Sequence, residues 1–240
     1  SKETEVLKHN FHFISSKVDV NDNPQSPSYP ALPFLSRNIE PGEGGSPFNV
    51  PVIWYGRPLG SEFKSPYSPK NIEQYNINYN LSFLINQTTD AEISITISEH
   101  SNDHFRPDII DSRFLAAIKG NGGPEGNLTW NIFDSTQNPK SLIDYVRGAE
   151  VSSKVADLIS VDGIFNRKLK NLNLAYGFQL NKESLDIYYD EVSRAEFDKD
   201  GKLIKTADLF FLGGGINLSK SRTSNALFVE IEKSIQEALD

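Results

Sequence analysis

Four histidines fall in two close pairs, His9/His12 and His100/His104. The second pair stands among acids, in Glu99-His100-Ser-Asn-Asp103-His104, with Asp108 and Asp111 soon after. Neutral imidazole and carboxylate together make a ligand set for Zn²⁺, Mn²⁺ or Fe²⁺. The spacing His-x-x-x-His sets two imidazoles together when the segment is helical. Pro107 and the turn formers Ser101, Asn102 and Asp103 oppose a helix there. The His-Glu-x-x-His pattern is absent. A divalent-metal centre therefore needs His9 or His12 brought beside His100, Asp103 and His104. Asp103 or Glu99 would then be the base of a metal-dependent enzyme.

A second constellation is Leu212-Gly213-Gly214-Gly215, followed by Lys220 and Arg222. Glycines let backbone N–H groups approach an anion, and a following helix N-terminus would favour negative charge. This segment is the expected site for a phosphate, a nucleotide or an RNA backbone. It carries neither Gly-x4-Gly-Lys-Ser/Thr nor Gly-x-Gly-x-x-Gly. A formal net charge of −8 disfavours nucleic acid as the partner.

Other chemistries are excluded or unsupported. The chain has no cysteine, so it makes no disulfide, thiolate nucleophile or Cys-ligated metal centre. No Gly-x-Ser-x-Gly elbow supports a serine hydrolase. The carboxylates Asp186, Asp190 and Glu191 lie in an alternating stretch, where exposed acids are the default. Asn-x-Ser/Thr triplets at Asn80, Asn86, Asn127 and Asn217 are no more numerous than an Asn- and Ser-rich chain yields by chance.

Asp19-Val-Asn21-Asp22-Asn23-Pro24 resembles the calcium-binding linker of cadherin repeats. The likeness covers six residues and would imply Ca²⁺ on their carboxylate and amide oxygens. The family's repeated ligands and repeat period are missing from the rest of the chain. Asp-Asn-Pro is also ordinary turn chemistry.

The elements that must position these groups read as follows. Residues 6–18 form a first strand. Residues 20–72 are a Pro-rich excursion, since ten of the 13 prolines fall between Pro24 and Pro69. It is too apolar for a solvated tether, and Phe48, Trp54, Tyr55 and Phe63 are its candidates for contact with a partner. Tyr75 to Phe83 alternates apolar residues with Asn and Ser, and Ile93, Ile95 and Ile97 alternate with Ser and Thr. Together they predict an antiparallel hairpin. A short helix is expected over 109–118, a strand over 128–133 and a helical pattern over 139–160. Strands are expected over 172–180 and 185–192, with a hairpin turning at Asp200-Gly201. The chain should close on an amphipathic helix at 224–239, capped by Ser224.

Strands joined mainly by turns point to an α+β fold in one domain spanning 1–240. It would be built on a mainly antiparallel β-sheet, sandwich-like or barrel-like, with a few helices. No apolar run is long enough for a membrane helix, and Ser1 to Glu5 is not a signal peptide. A soluble protein is the expectation, with no compartment indicated. Without a complete catalytic motif, the leading expectation is a non-catalytic β-rich binding or assembly protein. It would meet a protein partner, or itself, through the aromatic arm.

Overall fold

A computed structural model describes residues 7–22, 36–56, 58–59 and 67–233. The elements run β1 (Lys8–Val20), β2 (Arg37–Ile39), β3 (Val52–Trp54), β4 (Lys70–Asn86), β5 (Thr89–Ile109), α1 (Asp111–Ile118), a 3₁₀ turn (Ser135–Gln137), α2 (Lys140–Val146), β6 (Arg147–Leu169), β7 (Leu172–Tyr189), β8 (Glu196–Phe197), β9 (Leu203–Lys205) and β10 (Leu218–Lys233). Six of these strands form one antiparallel sheet in the order β1-β4-β5-β6-β7-β10. The other two sheets, β2-β3 and β8-β9, are two-stranded ribbons.

The sheet is neither a sandwich nor a closed barrel. Among the described residues β1 and β10 each pair on one side only, so the ladder is an open single layer. At one end, here called distal, β4–β5 and β6–β7 each turn within two residues. At the other end, the base, long connections leave the sheet and build the core.

That core is local. Phe114 and Ala117 of α1 meet Leu142, Ile143 and Val146 of α2, with Ile39, Ile109, Trp130 and Phe210. The Phe114 ring stands edge-on to Trp130 and Phe210, with centroids 5.8 and 5.6 Å apart, a favoured aromatic geometry. Asp208 caps α1 from outside, accepting from the Ser112 backbone N–H and hydroxyl at 2.8 and 2.6 Å. Among the described residues no long strand packs a second layer against its distal half; Ile159 there is 47 % exposed and Leu227 87 %.

Arg37 fastens the Pro-rich excursion to this core. Its guanidinium pairs with Asp111 at 2.5 Å and lies 4.7 Å from the Phe210 ring centroid. Both side chains are half-buried, so the pair and the cation–π contact gain from partial desolvation. Arg37→Ala is expected to cost about 1–3 kcal/mol, read as a shift in the urea midpoint.

Two helical expectations fail for one reason. Residues 147–160 belong to β6, and only Lys140–Val146 is helical. Val151, Val155 and Ile159 suit a helix by spacing, but with Ser153 and Asp157 between them they also keep the parity of one strand face. Over 224–233 the expected C-terminal helix is likewise replaced by β10, and 234–239 lie outside the described residues. Leu227, Val229 and Ile231 alternate, and the β-branched pair among them favours a strand. Leu128 makes only an isolated bridge to Gly122 rather than a strand over 128–133.

Candidate functional site

The register, broken only between Leu84 and Asn86 beside the β4–β5 turn, converts the sequence into two face maps, because side chains paired across a ladder point the same way. One cross-strand row reads Phe11, Tyr79, Ile95, Val161, Leu180, Asn225. The next row toward the distal end is His9, Leu81, Ile93, Gly163, Phe178, Leu227. Beyond it lie Phe83, Ala91, Phe165, Tyr176 and Val229. These three rows hold no Asp, Glu, Lys or Arg. Phe13, Ile77, Ile97 and Ile159 extend the band toward the base, where Lys182 is its first charge.

At the same height the opposite face is mostly polar, although its row nearest the distal end, Lys8, Ser82, Glu92, Ile164, Gly177, Phe228, mixes charged and apolar residues. Its next two rows read Asn10, Asn80, Ser94, Asp162, Gln179, Ala226 and His12, Asn78, Thr96, Ser160, Asn181, Ser224. Asn78 donates to Ser94 and Thr96 at 3.2 and 2.9 Å, while Ser160 and Gln179 donate to Asp162 at 2.8 and 2.7 Å. This network shields its members: Ser160 is 7 % exposed, whereas Ile159 beside it, on the apolar face, is open.

Nearer the base the apolar face changes character in mid-strand. The row Ser15, Tyr75, Glu99, Asp157, Ser184, Ser221 is polar throughout. Tyr75 donates to Glu99 at 3.3 Å, and Ser184 to Asp157 at 2.9 Å. The sheet is thus wettable on both faces near the base and amphipathic only distally.

The histidines do not converge. His9 lies on the apolar face and His12 on the polar face of β1. His100 and His104 share the polar face of β5, four residues and roughly 13 Å apart at ~3.3 Å per residue. Asp103 points to the other side. His12 is in line with Thr96, again four residues from His100. Among the described residues, no group of three or more His, Asp or Glu could hold a metal ion.

His104 still has a pH consequence. Its ring lies 3.3 Å from the Ser68 hydroxyl. Burial, and then the positive charges of Lys70 and Arg106, hold its pKa below the ordinary histidine value. The unfolded chain therefore takes up this proton first, so its contribution weakens stability as pH falls through about 6.5 toward the lowered folded value. His104→Gln should flatten that limb of the denaturation midpoint measured between pH 8 and pH 5.

The glycine segment is already occupied by the protein itself. Gly214 N–H donates to the Glu150 carboxylate at 3.1 Å, and Gly215 N–H to the Ser193 carbonyl at 3.0 Å. Gly214 has φ +60, and a Cβ there would meet the Ser193 carbonyl oxygen at 2.0 Å, which accounts for glycine. Gly213 precedes it in the same connection. Lys220 and Arg222 lie on a strand rather than before a helix, and Arg222 pairs with Glu183 at 2.7 Å.

The aromatic arm is divided. Trp54 packs into the protein's own core, with ring centroids 6.0 Å from Phe114 and 6.5 Å from Phe210. Phe48 is exposed and meets Phe133 edge-on, and Tyr55 is exposed. Phe63 lies outside the described residues, as do Asn23 and Pro24 of the calcium-linker motif. Asp19 of that motif sits on β1 opposite Asn71.

A pocket of about 400 Å³ lies where the sheet meets the core, lined by Leu59, Phe105, Pro107, Ile110, Gly148 and Val192 among others. Asp108 borders it, with both carboxylate oxygens engaged by backbone N–H groups.

The residues that sequence reasoning passed over are the apolar band and the two open edges. The signal was present in the alternation of 75–83 and 93–97. What was missing was the register that adds 159–165, 174–180 and 227–231 to the same face. Among the described residues, no helix is long and apolar enough to cross a membrane, a criterion that does not concern strands. Comparison with protein-family models, with curated proteins and with solved structures finds no match for this chain.

Proposed function

We propose that this chain is a non-catalytic, β-rich assembly protein whose distal sheet lies in a lipid bilayer, with the apolar band against hydrocarbon and the polar face against water. The observation that carries it is the set of three successive rows without a formal charge, backed at the same height by rows rich in Asn, Ser and Gln that also hold Lys8, Glu92 and Asp162. A membrane strand needs about 9–11 tilted residues. Its charge-free rows take Ala91 to Ile95 on β5 and Tyr176 to Leu180 on β7, five residues each; the span reaches nine only with the bounding rows that carry Arg167 and Lys182, which places those two charges at the bilayer interfaces.

Connectivity supports the same reading. Membrane β-proteins join strands by short turns on one side and long loops on the other, and alternate apolar-out with polar-in. Here the distal turns are tight and the base carries the long excursions and the core. In water the exposed band would be a large apolar patch of the kind that marks an interaction surface.

Nitroxide labels on single cysteines test it, since the chain has no cysteine of its own. In phosphatidylcholine vesicles, labels at Val161 and Leu180 should be relaxed by oxygen and protected from a water-soluble nickel chelate. Labels at Ser160 and Asn181 should show the reverse. Band labels shielded from both agents would mean that a protein layer covers them, such as a second copy stacked face to face. Band labels open to the chelate would mean that they face water. Either result overturns the proposal.

A further inference from the structure

We infer that β10 of one copy pairs with β1 of a second copy, continuing the antiparallel ladder from chain to chain. The setting rests on the membrane placement proposed above. The pairing itself rests on the edges. β1 and β10 are 13 and 16 residues long, and among the described residues each has a ladder partner on one side only. Sheet edges are usually blunted by proline, by a bulge, by charged side chains or by a covering segment; the charges of these two strands, among them Lys8, Lys17, Lys220, Arg222 and Glu230, lie outside the three charge-free rows. Neither strand contains proline, both keep an unbroken register with their neighbours, and their side chains are exposed almost throughout.

In hydrocarbon such edges are untenable, because each unpaired N–H or C=O costs several kcal/mol. The edges also match each other. With six strands in strict alternation, β1 runs from the distal end to the base and β10 runs from the base to the distal end. A β10–β1 junction is therefore antiparallel, like every other pair in the sheet. With His12 opposite Ala226 on the polar side, Phe11 faces Leu227, Phe13 faces Asn225 and His9 faces Val229 on the lipid side; with His12 opposite Ser224, Phe11 faces Asn225 and His9 faces Leu227. The contact joins two different surfaces of the chain, so repeating it generates a ring when the rotation closes. Bacterial single-chain membrane barrels have at least ~8 strands, more than one copy provides. Two or more copies give an even number and enclose the polar face as a water-filled lumen.

The test uses mixed single-cysteine proteins. A copy carrying His12→Cys is mixed with one carrying Ser224→Cys or Ala226→Cys, reconstituted in phosphatidylcholine vesicles and oxidised. A disulfide forms only where Cβ atoms come within about 3.5–4.5 Å, so the expected result is an interchain β1–β10 product at one of these polar-face pairs. Val229→Cys, on the lipid side, should give none with His12→Cys. Products of β1 with β1 or β10 with β10 in place of the mixed pair would overturn the head-to-tail arrangement. So would lipid-accessible nitroxides at Leu180 without any β1–β10 product, an outcome that leaves the membrane placement standing. If the nitroxides face water, the same oxidation is read in solution: a β1–β10 product then sustains the pairing while the membrane placement falls, and its absence removes both.

Discussion

Arginine in place of Ile95 is expected to weaken partition into phosphatidylcholine vesicles by about 30- to 1,000-fold, because a lipid-facing Arg near the midplane costs about 2–4 kcal/mol. Ile95 sits at the centre of the band, flanked in its row by Tyr79 and Val161. It is 37 % exposed and belongs to no core cluster, so the same change should leave the fold in water nearly untouched. A thermal melt in buffer checks that point. Thr96→Arg is the matched control, one residue away on the polar face, where it loses a single hydrogen bond from Asn78. Its partition should fall far less. Equal partition of Ile95→Arg and the unaltered chain, measured by vesicle sedimentation, would show that the band does not meet hydrocarbon.

The contrast between Ile95 and Thr96 also explains what the sequence allowed. Period two over 75–83 and 93–97 identifies strands and tells their faces apart, and the structure keeps both. The first strand, the short α1 and the turn at Asp200-Gly201 were legible for the same reason, since each rests on local chemistry. The band was not legible, because a burial argument assigns the apolar face of every strand to a core. The core of this protein is built instead from α1, α2 and the connections at the base. Whether alternate apolar residues meet a core, a lipid or a partner depends on register across six strands, which no single segment encodes.

The candidate sites fared according to the same distinction. Clusters close in sequence were drawn out along extended strands, so the four-residue step from His100 to His104 became a separation along β5 rather than a shared ligand position. Of the glycines, Gly214 already donates to an anion from far along the chain, Glu150. Helical spacing over 147–160 and 224–233 misled because the Val and Ile residues that satisfy it also satisfy strand parity. Their β-branching was the better guide.

Asp108→Ala is expected to destabilise the base by about 3–5 kcal/mol, the cost typical of removing one partner from a buried charged network. Asp108 is 2 % exposed at the end of β5. Its carboxylate accepts from the N–H of Ile109 at 2.8 Å, of Phe211 at 3.0 Å and of Leu212 at 2.6 Å. The last two hold the segment that delivers Phe210 to the aromatic core, so its anchorage and its packing fail together. Each buried N–H left without an acceptor costs about 1–3 kcal/mol. Asp108→Asn keeps an acceptor oxygen and a similar volume, and should cost distinctly less. The pH dependence separates the two roles. Burial pushes the Asp108 carboxyl above its ordinary value, although the three N–H donors oppose that shift. The folded form therefore takes up this proton before the unfolded chain does. Asp108 accordingly adds stability as pH falls from the raised folded value toward about 3.9, the reverse of a salt-bridged carboxylate and of the His104 limb. Denaturant midpoints across that range should lose this contribution in Asp108→Asn. An Asp108→Ala chain as stable as the original would mean that the 208–212 segment is held by its apolar contacts alone.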